Sequence, residues 1–178
     1  MRKTGRLHII LELVTILSYI IIGVTVLTFL SQSVEANKSY VGSIVLAIGV
    51  TELVDFISLK YLIKLKNIPN AIAAILGIAL GIVILALKKD LEVVCIVWGI
   101  CSIVLQVIKI VNAGLNLLRQ PFLNSFVIIL CIVEVIYAIF LIVKKEQTLY
   151  WHLMFVGIAM LVNAFLLIVE FMIHRYQK

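Results

Sequence analysis

The sequence predicts an all-α, polytopic membrane protein: six transmembrane helices laid out as three tandem helical hairpins, with both termini cytoplasmic. Three observations lead there. Of 178 residues, 64% belong to the apolar set and 13% are charged, with a mean hydropathy of +1.24, whereas a soluble domain is about 45–50% apolar and about 25% charged. The apolar residues are gathered into six runs at about 8–30, 40–63, 69–87, 91–117, 122–143 and 149–173, each near the ~20 residues that span a bilayer core. The runs are continuous and do not alternate with period two, which argues against a β-barrel. A soluble domain, a disordered tail and a collagen-like chain are excluded by the same figures.

Each run is bounded by polar residues. Ser31 to Lys38 ends the first, Lys64 to Asn67 the second, Lys88-Lys89-Asp90 the third, Arg119-Gln120 the fourth and Lys144-Lys145-Glu146 the fifth. Pro69 and Pro121 fall in the first turn of helices three and five, where a missing N–H costs nothing. Arg2, Lys3 and Arg6 precede the first run, and Val34-Glu35-Ala36 has the spacing of a signal-peptidase site. A signal h-region is only about 7–15 residues, so the first helix is expected to be retained. The connections leave no room for a second domain, and one bundle over 1–178 is expected.

Basic residues set the orientation. With six spans, Arg2, Lys3, Arg6, Lys60, Lys64, Lys66, Arg119, Arg175 and Lys178 share one side, nine against the five of Lys38, Lys88, Lys89, Lys144 and Lys145. That difference puts both termini in the cytoplasm. Glu35, Asp90, Glu92 and Glu146 fall on the outer side. Tyr40, Tyr150 and Trp151 are expected as outer interfacial anchors, with Tyr61 and Tyr176 at the inner interface. The +6 formal charge is therefore an orientation signal, and no nucleic-acid partner is expected. A repeat also stands out. Units of about 7–66, 69–119 and 121–174 each carry a glycine in their second helix, at Gly49, Gly99 and Gly157.

Six ionisable groups lie inside the runs: Glu12, Glu52, Asp55, Lys109, Glu134 and Glu170. A charge at a helix centre costs about 2.5–3.5 kcal/mol on insertion scales. These groups should face the bundle interior, pair with one another or carry a proton, and together with Asn163 they are the candidate site residues. Lys109 is expected at the depth of Asp55, where the two can pair. Glu52 and Glu134 are expected nearest the midplane with no basic residue at their depth, which makes them the leading functional candidates. Helical spacing supports interior placement. Cys95, Gly99, Ser102, Gln106, Lys109, Ala113 and Asn116 form a small and polar seam on helix four. His8, Glu12, Thr15, Tyr19 and Gly23 share a stripe on helix one; Gly42, Gly49 and Glu52 do so on helix two, with Asp55 on the adjoining edge. On helix six the stripe is His152, Ala159, Asn163, Glu170 and His174. Ala73, Gly77 and Gly81 make a small-xxx-small face suited to close helix packing, within the chain or between copies.

Other chemistry finds no motif. There is no Gly-x-Ser-x-Gly, His-Glu-x-x-His, Walker loop or dinucleotide fingerprint. Cys95, Cys101 and Cys131 lack metal spacing and read as small buried hydrophobes. His8, His152 and His174 fall near helix ends and read as interfacial. No enzyme activity, metal or cofactor is expected. The expected partners are the lipid bilayer, a second copy or another membrane protein, and protons or cations.

The chain also resembles the HdeD-like acid-resistance membrane protein family over residues 41–112. Leu76-Gly77-Ile-Ala-Leu-Gly81-Ile is similar to that family's glycine-punctuated odd helix, and Ala47-Ile-Gly49-Val-Thr-Glu52-Leu and Val97-Trp-Gly99-Ile100 to its even helices. Lys88-Lys89-Asp90 and Lys144-Lys145-Glu146 stand where the family often has an Asn-Pro turn. The resemblance implies a bacterial inner-membrane protein without enzymatic activity, tied to acid or envelope stress. A small channel or transporter for protons, cations or a small cationic solute, using the intramembrane carboxylates, is the alternative expectation.

Overall fold

The computed structural model describes residues 2–29, 38–62, 68–86, 91–115, 121–144 and 146–176, and all of them but Phe29 lie in α-helices. The helices are α1 (Arg2–Thr28), α2 (Lys38–Leu62), α3 (Ile68–Ala86), α4 (Leu91–Leu115), α5 (Pro121–Lys144) and α6 (Glu146–Tyr176). Five of them are long and apolar enough to cross a membrane, and α3 is a shorter apolar helix over Ala71–Ala86. The expected segments thus become helices. Most of the polar breaks between them, the Val34-Glu35-Ala36 motif and Asn116 lie outside the described residues.

The helices close into a ring. Each packs on the next in sequence, and α6 returns to pack on α1; α4 and α6 also touch across the middle. The most extensive contacts are α2 with α3, α4 with α5, and α1 with α6. These joints run from the second helix of one sequence unit to the first helix of the next, and the last unit returns to the first.

Small residues make the joints possible. A Cβ on Gly49 would lie 2.6 Å from the Gly77 carbonyl carbon and closer still to the Ile78 nitrogen, so α2 and α3 meet backbone to backbone. Gly81 meets Leu46 in the same joint, which places the Gly77 and Gly81 face inside the chain, with Ala73 also buried. Gly99 on α4 lies against Ala138 and Ile142 of α5, and Gly157 on α6 against Val26 and Leu27 of α1. The three glycines that mark the sequence repeat therefore each lie in one of the three most extensive joints of the ring.

The two halves of the ring interior differ. Toward the end bearing the α1–α2, α3–α4 and α5–α6 connections, a dry core is filled by Val26, Val41, Ile84, Val94, Leu141, Leu149 and Leu153, all nearly inaccessible. Toward the end bearing the termini, the interior is polar. Outward faces carry exposed Ile, Leu, Val and Phe side chains such as Ile21, Ile75, Ile129 and Phe165, a surface suited to lipid. Thr15 and Thr51 donate to the carbonyls of Leu11 and Ala47 at 3.0 and 2.9 Å, so these hydroxyls are satisfied without water.

Gly49→Ala should lower the detergent-solubilised thermal midpoint by the equivalent of about 1–3 kcal/mol, the usual cost of overpacking. Gly114, which has open space around it, should tolerate Ala with no loss, because Ala is the better helix former. A thermal shift assay on both variants checks this.

Candidate functional site

The polar half of the ring is built around one ion pair. The Lys109 Nζ of α4 donates to Glu52 Oε1 of α2 at 2.7 Å, with the glutamate side chain 9% exposed and the lysine 23%. Glu52 comes to the interior because it follows Gly49 by one helical turn, and Gly49 faces inward in the α2–α3 joint. Lys109 belongs to the small and polar seam of α4, whose Cys95, Gly99, Ser102, Gln106 and Ala113 are all buried. The pairing corrects one expectation. Glu52 has a basic partner at its own depth, because α4 presents Lys109 across the ring and the long lysine stem reaches the carboxylate.

Other groups converge on the pair. Tyr19 of α1, only 5% exposed, lines the same space as Glu52 and is near enough for the carboxylate to act on it electrostatically. Gln106 of α4 and Glu134 of α5 both line this space, and Glu134 lies within the field of Lys109. Asp55, one turn past Glu52, faces the same space and is near enough to Tyr19 to act on it electrostatically. Asn163 of α6 completes the wall. Among the described side chains, every helix but α3 thus supplies a polar group.

Together these groups line a partly open cavity of about 240 Å³, with Asn124, Cys131 and Met160 among its other walls. A second cavity of about 50 Å³ shares Glu52, Gln106, Lys109, Glu134 and Met160 with the first. It extends toward the dry core, past Ser102 and as far as Trp98, Val45 and Leu80. Together the two cavities only reach the lower end of the ~300–1,000 Å³ of pockets for drug-sized ligands, room for an ion or a small polar solute. Three carboxyl groups face it against one ammonium, a balance that favours a cationic guest.

Beyond Trp98 the path is closed. The His152 ring meets Trp98 edge to face, with centroids 4.7 Å apart at 84°. His152 is 0% exposed, and neither ring nitrogen has a hydrogen-bond partner. This corrects the expectation of an interfacial His152: it lies on the inward stripe of α6, one turn inside the span, where the ring sits in the apolar core. A buried polar group left unpaired costs about 1–3 kcal/mol, and the ring contact offsets about 0.5–1.5 kcal/mol of that.

The remaining candidates separate from the chamber. Glu12 is half-buried on α1, has a partner of its own and does not line either cavity. The side chains of Glu170, His8 and His174 lie outside the described residues. Tyr40, expected as an interfacial anchor, donates its hydroxyl to the Thr25 carbonyl at 3.1 Å and so ties α2 to α1, while Tyr150 and Trp151 are exposed as anchors should be. Cys95 and Cys131 are buried free thiols and Cys101 is half-buried. No cluster suited to a metal ion occurs among the described residues. Sequence reasoning overlooked Trp98 and Asn124 as chamber residues. Trp98 directly precedes Gly99 on the α4 seam, which was the available signal.

Compared with protein-family models, with curated proteins and with solved structures, the chain matches none.

Lys109→Met should destabilise the protein by about 2–3 kcal/mol, because it leaves Glu52 buried beside a partner that can no longer donate. Lys109→Met with Glu52→Gln should recover most of that loss. A double-mutant cycle on thermal midpoints measures the coupling.

Proposed function

We propose that the chain is a six-span membrane carrier for protons or a small cation, with both termini in the cytoplasm of a bacterial inner membrane. The observation that carries this reading is the chamber itself. It holds Glu52, Asp55 and Glu134 against Lys109, is partly open, and borders the apolar core that fills the other half of the ring. Ionisable side chains within apolar spans are costly and mark ion pathways, proton relays or counter-ions. A purely structural pair would be served as well by a closed contact, without a cavity beside it. The chamber lies in the half of the bundle that bears the termini, the half that the nine-to-five distribution of basic residues assigns to the cytoplasmic side. On this reading Lys109 is the resident counter-ion of Glu52, and an entering cation or proton competes with it for the carboxylate. The binding site is non-catalytic, and all six helices, the short α3 included, cross the bilayer as hairpin units.

A second reading is favoured by the glycine joints. Gly49, Gly77, Gly81 and Gly99 stand both in the segments that resemble the HdeD-like family and at the closest helix contacts. In that reading the protein is a non-enzymatic stress-protection component that acts through a second copy or another membrane protein, and the ion pair serves only to fix the bundle.

Reconstituted into liposomes, the wild-type chain should pass protons or a monovalent cation under an imposed gradient. Glu52→Gln and Glu134→Gln should each lower that flux about tenfold or more, with circular dichroism and thermal midpoint checking that the fold is kept. Wild-type liposomes that leak no faster than empty ones, or flux indifferent to both substitutions, would rule out the carrier and leave the second reading.

A further inference from the structure

The geometry points to Trp98 and His152 as the outer gate of the chamber, with the imidazole serving the open arrangement and not the closed one. This inference rests on the carrier reading. The smaller cavity leads from Glu52 and Lys109 past Ser102 and ends on Trp98. His152 stands directly behind the indole, edge to face. Both residues lie about two helical turns from the starts of α4 and α6 at Leu91 and Glu146, so a path opened between them has only a short distance left to the outer surface.

The imidazole explains why a gate is the better account of this contact. A residue kept only for packing here would be apolar, since a phenyl ring fills similar space and has no donor or acceptor to satisfy. His152 instead buries two ring nitrogens with no partner. Local rules broken in this way concentrate at functional sites. If the indole swings aside, the small cavity extends to His152. The nitrogens then meet entering water at the Ser102 end of the cavity, and gain the hydrogen bonds denied them in the closed state. The histidine thereby biases a two-state element toward opening, while the indole and surrounding core bias it toward closure. Gly99, beside Trp98, allows α4 to lie close against α5.

The experiment uses the full chain in liposomes and the native Cys131, which lines the chamber, as reporter. In a Cys95→Ala, Cys101→Ala background, a membrane-impermeant thiol reagent should reach Cys131 from the terminus-bearing side and not from the opposite side. Trp98→Ala should raise labelling from the opposite side about tenfold and leave labelling from the terminus-bearing side unchanged, which also verifies the fold. His152→Phe should keep or raise the thermal midpoint, as replacing an unsatisfied buried polar group by an apolar one of like shape does, and should lower cation flux several-fold. Unchanged opposite-side labelling in Trp98→Ala, or full flux in His152→Phe, overturns the gate. If the wild-type chain carries no ion, the carrier reading fails by the test above, and the labelling experiment still decides whether this contact closes the chamber.

Discussion

The contact between Lys109 and Glu52 decides how the rest of the molecule is arranged. An ionisable group within an apolar span must be turned from lipid and matched, because the bilayer offers nothing to solvate it. Two such groups on α2 and α4 can meet only if those helices face each other across an interior. That requirement excludes a flat row of helices and asks for a closed bundle. It also fixes the rotation of both helices, since the interior faces of α2 and α4 must be those bearing Gly49 with Glu52 and Gly99 with Lys109. Buried pairs of this kind contribute little net stability, and their attested use is to specify one arrangement among several. Here the specified features are which faces turn inward and at what depth.

Close packing supplies the adhesive force that the ion pair does not. In lipid there is no hydrophobic drive between helices, and association depends on backbone approach and van der Waals contact. The three glycine joints provide it at regular intervals around the ring. The Gly99 and Gly157 joints lie toward the dry half, while the Gly49–Gly77 joint forms part of the wall of the smaller cavity beside Glu52. Tight packing and the polar cavity thus meet at the α2–α3 joint, and on α4 the change from dry core to polar wall runs through Trp98, Gly99 and Ser102.

Much of this was legible from residue spacing. The six segments follow from the length of the apolar runs, and the inward face of α4 follows from steps of three and four between Cys95 and Ala113. The repeat of Gly49, Gly99 and Gly157 was visible too, although its meaning lay in the joints between successive units and in the return of α6 to α1. Pairing was harder to read. Depth along an isolated helix does not say how neighbouring helices are offset, nor how far a flexible lysine extends, so Lys109 was expected beside Asp55 and is found on Glu52. The burial of His152 was likewise hidden, because a histidine near a helix end is consistent with either an interface or a core. Rotation of α6 about its axis decides between them, and that is set by contacts with α1 and α4.

The closed ring has a consequence for biosynthesis. Helices enter the bilayer in order from α1, and α2 brings Glu52 into the membrane before α4 arrives with Lys109. Over that interval the carboxyl must be compensated by something other than its eventual partner, whether the insertion machinery, local water or a proton. The wall of the chamber is completed only when α6 docks against α1 and brings Asn163 to the site. A nascent chain halted after α5 would therefore hold the ion pair yet have an open side, exposing to lipid the polar surface that the finished protein encloses.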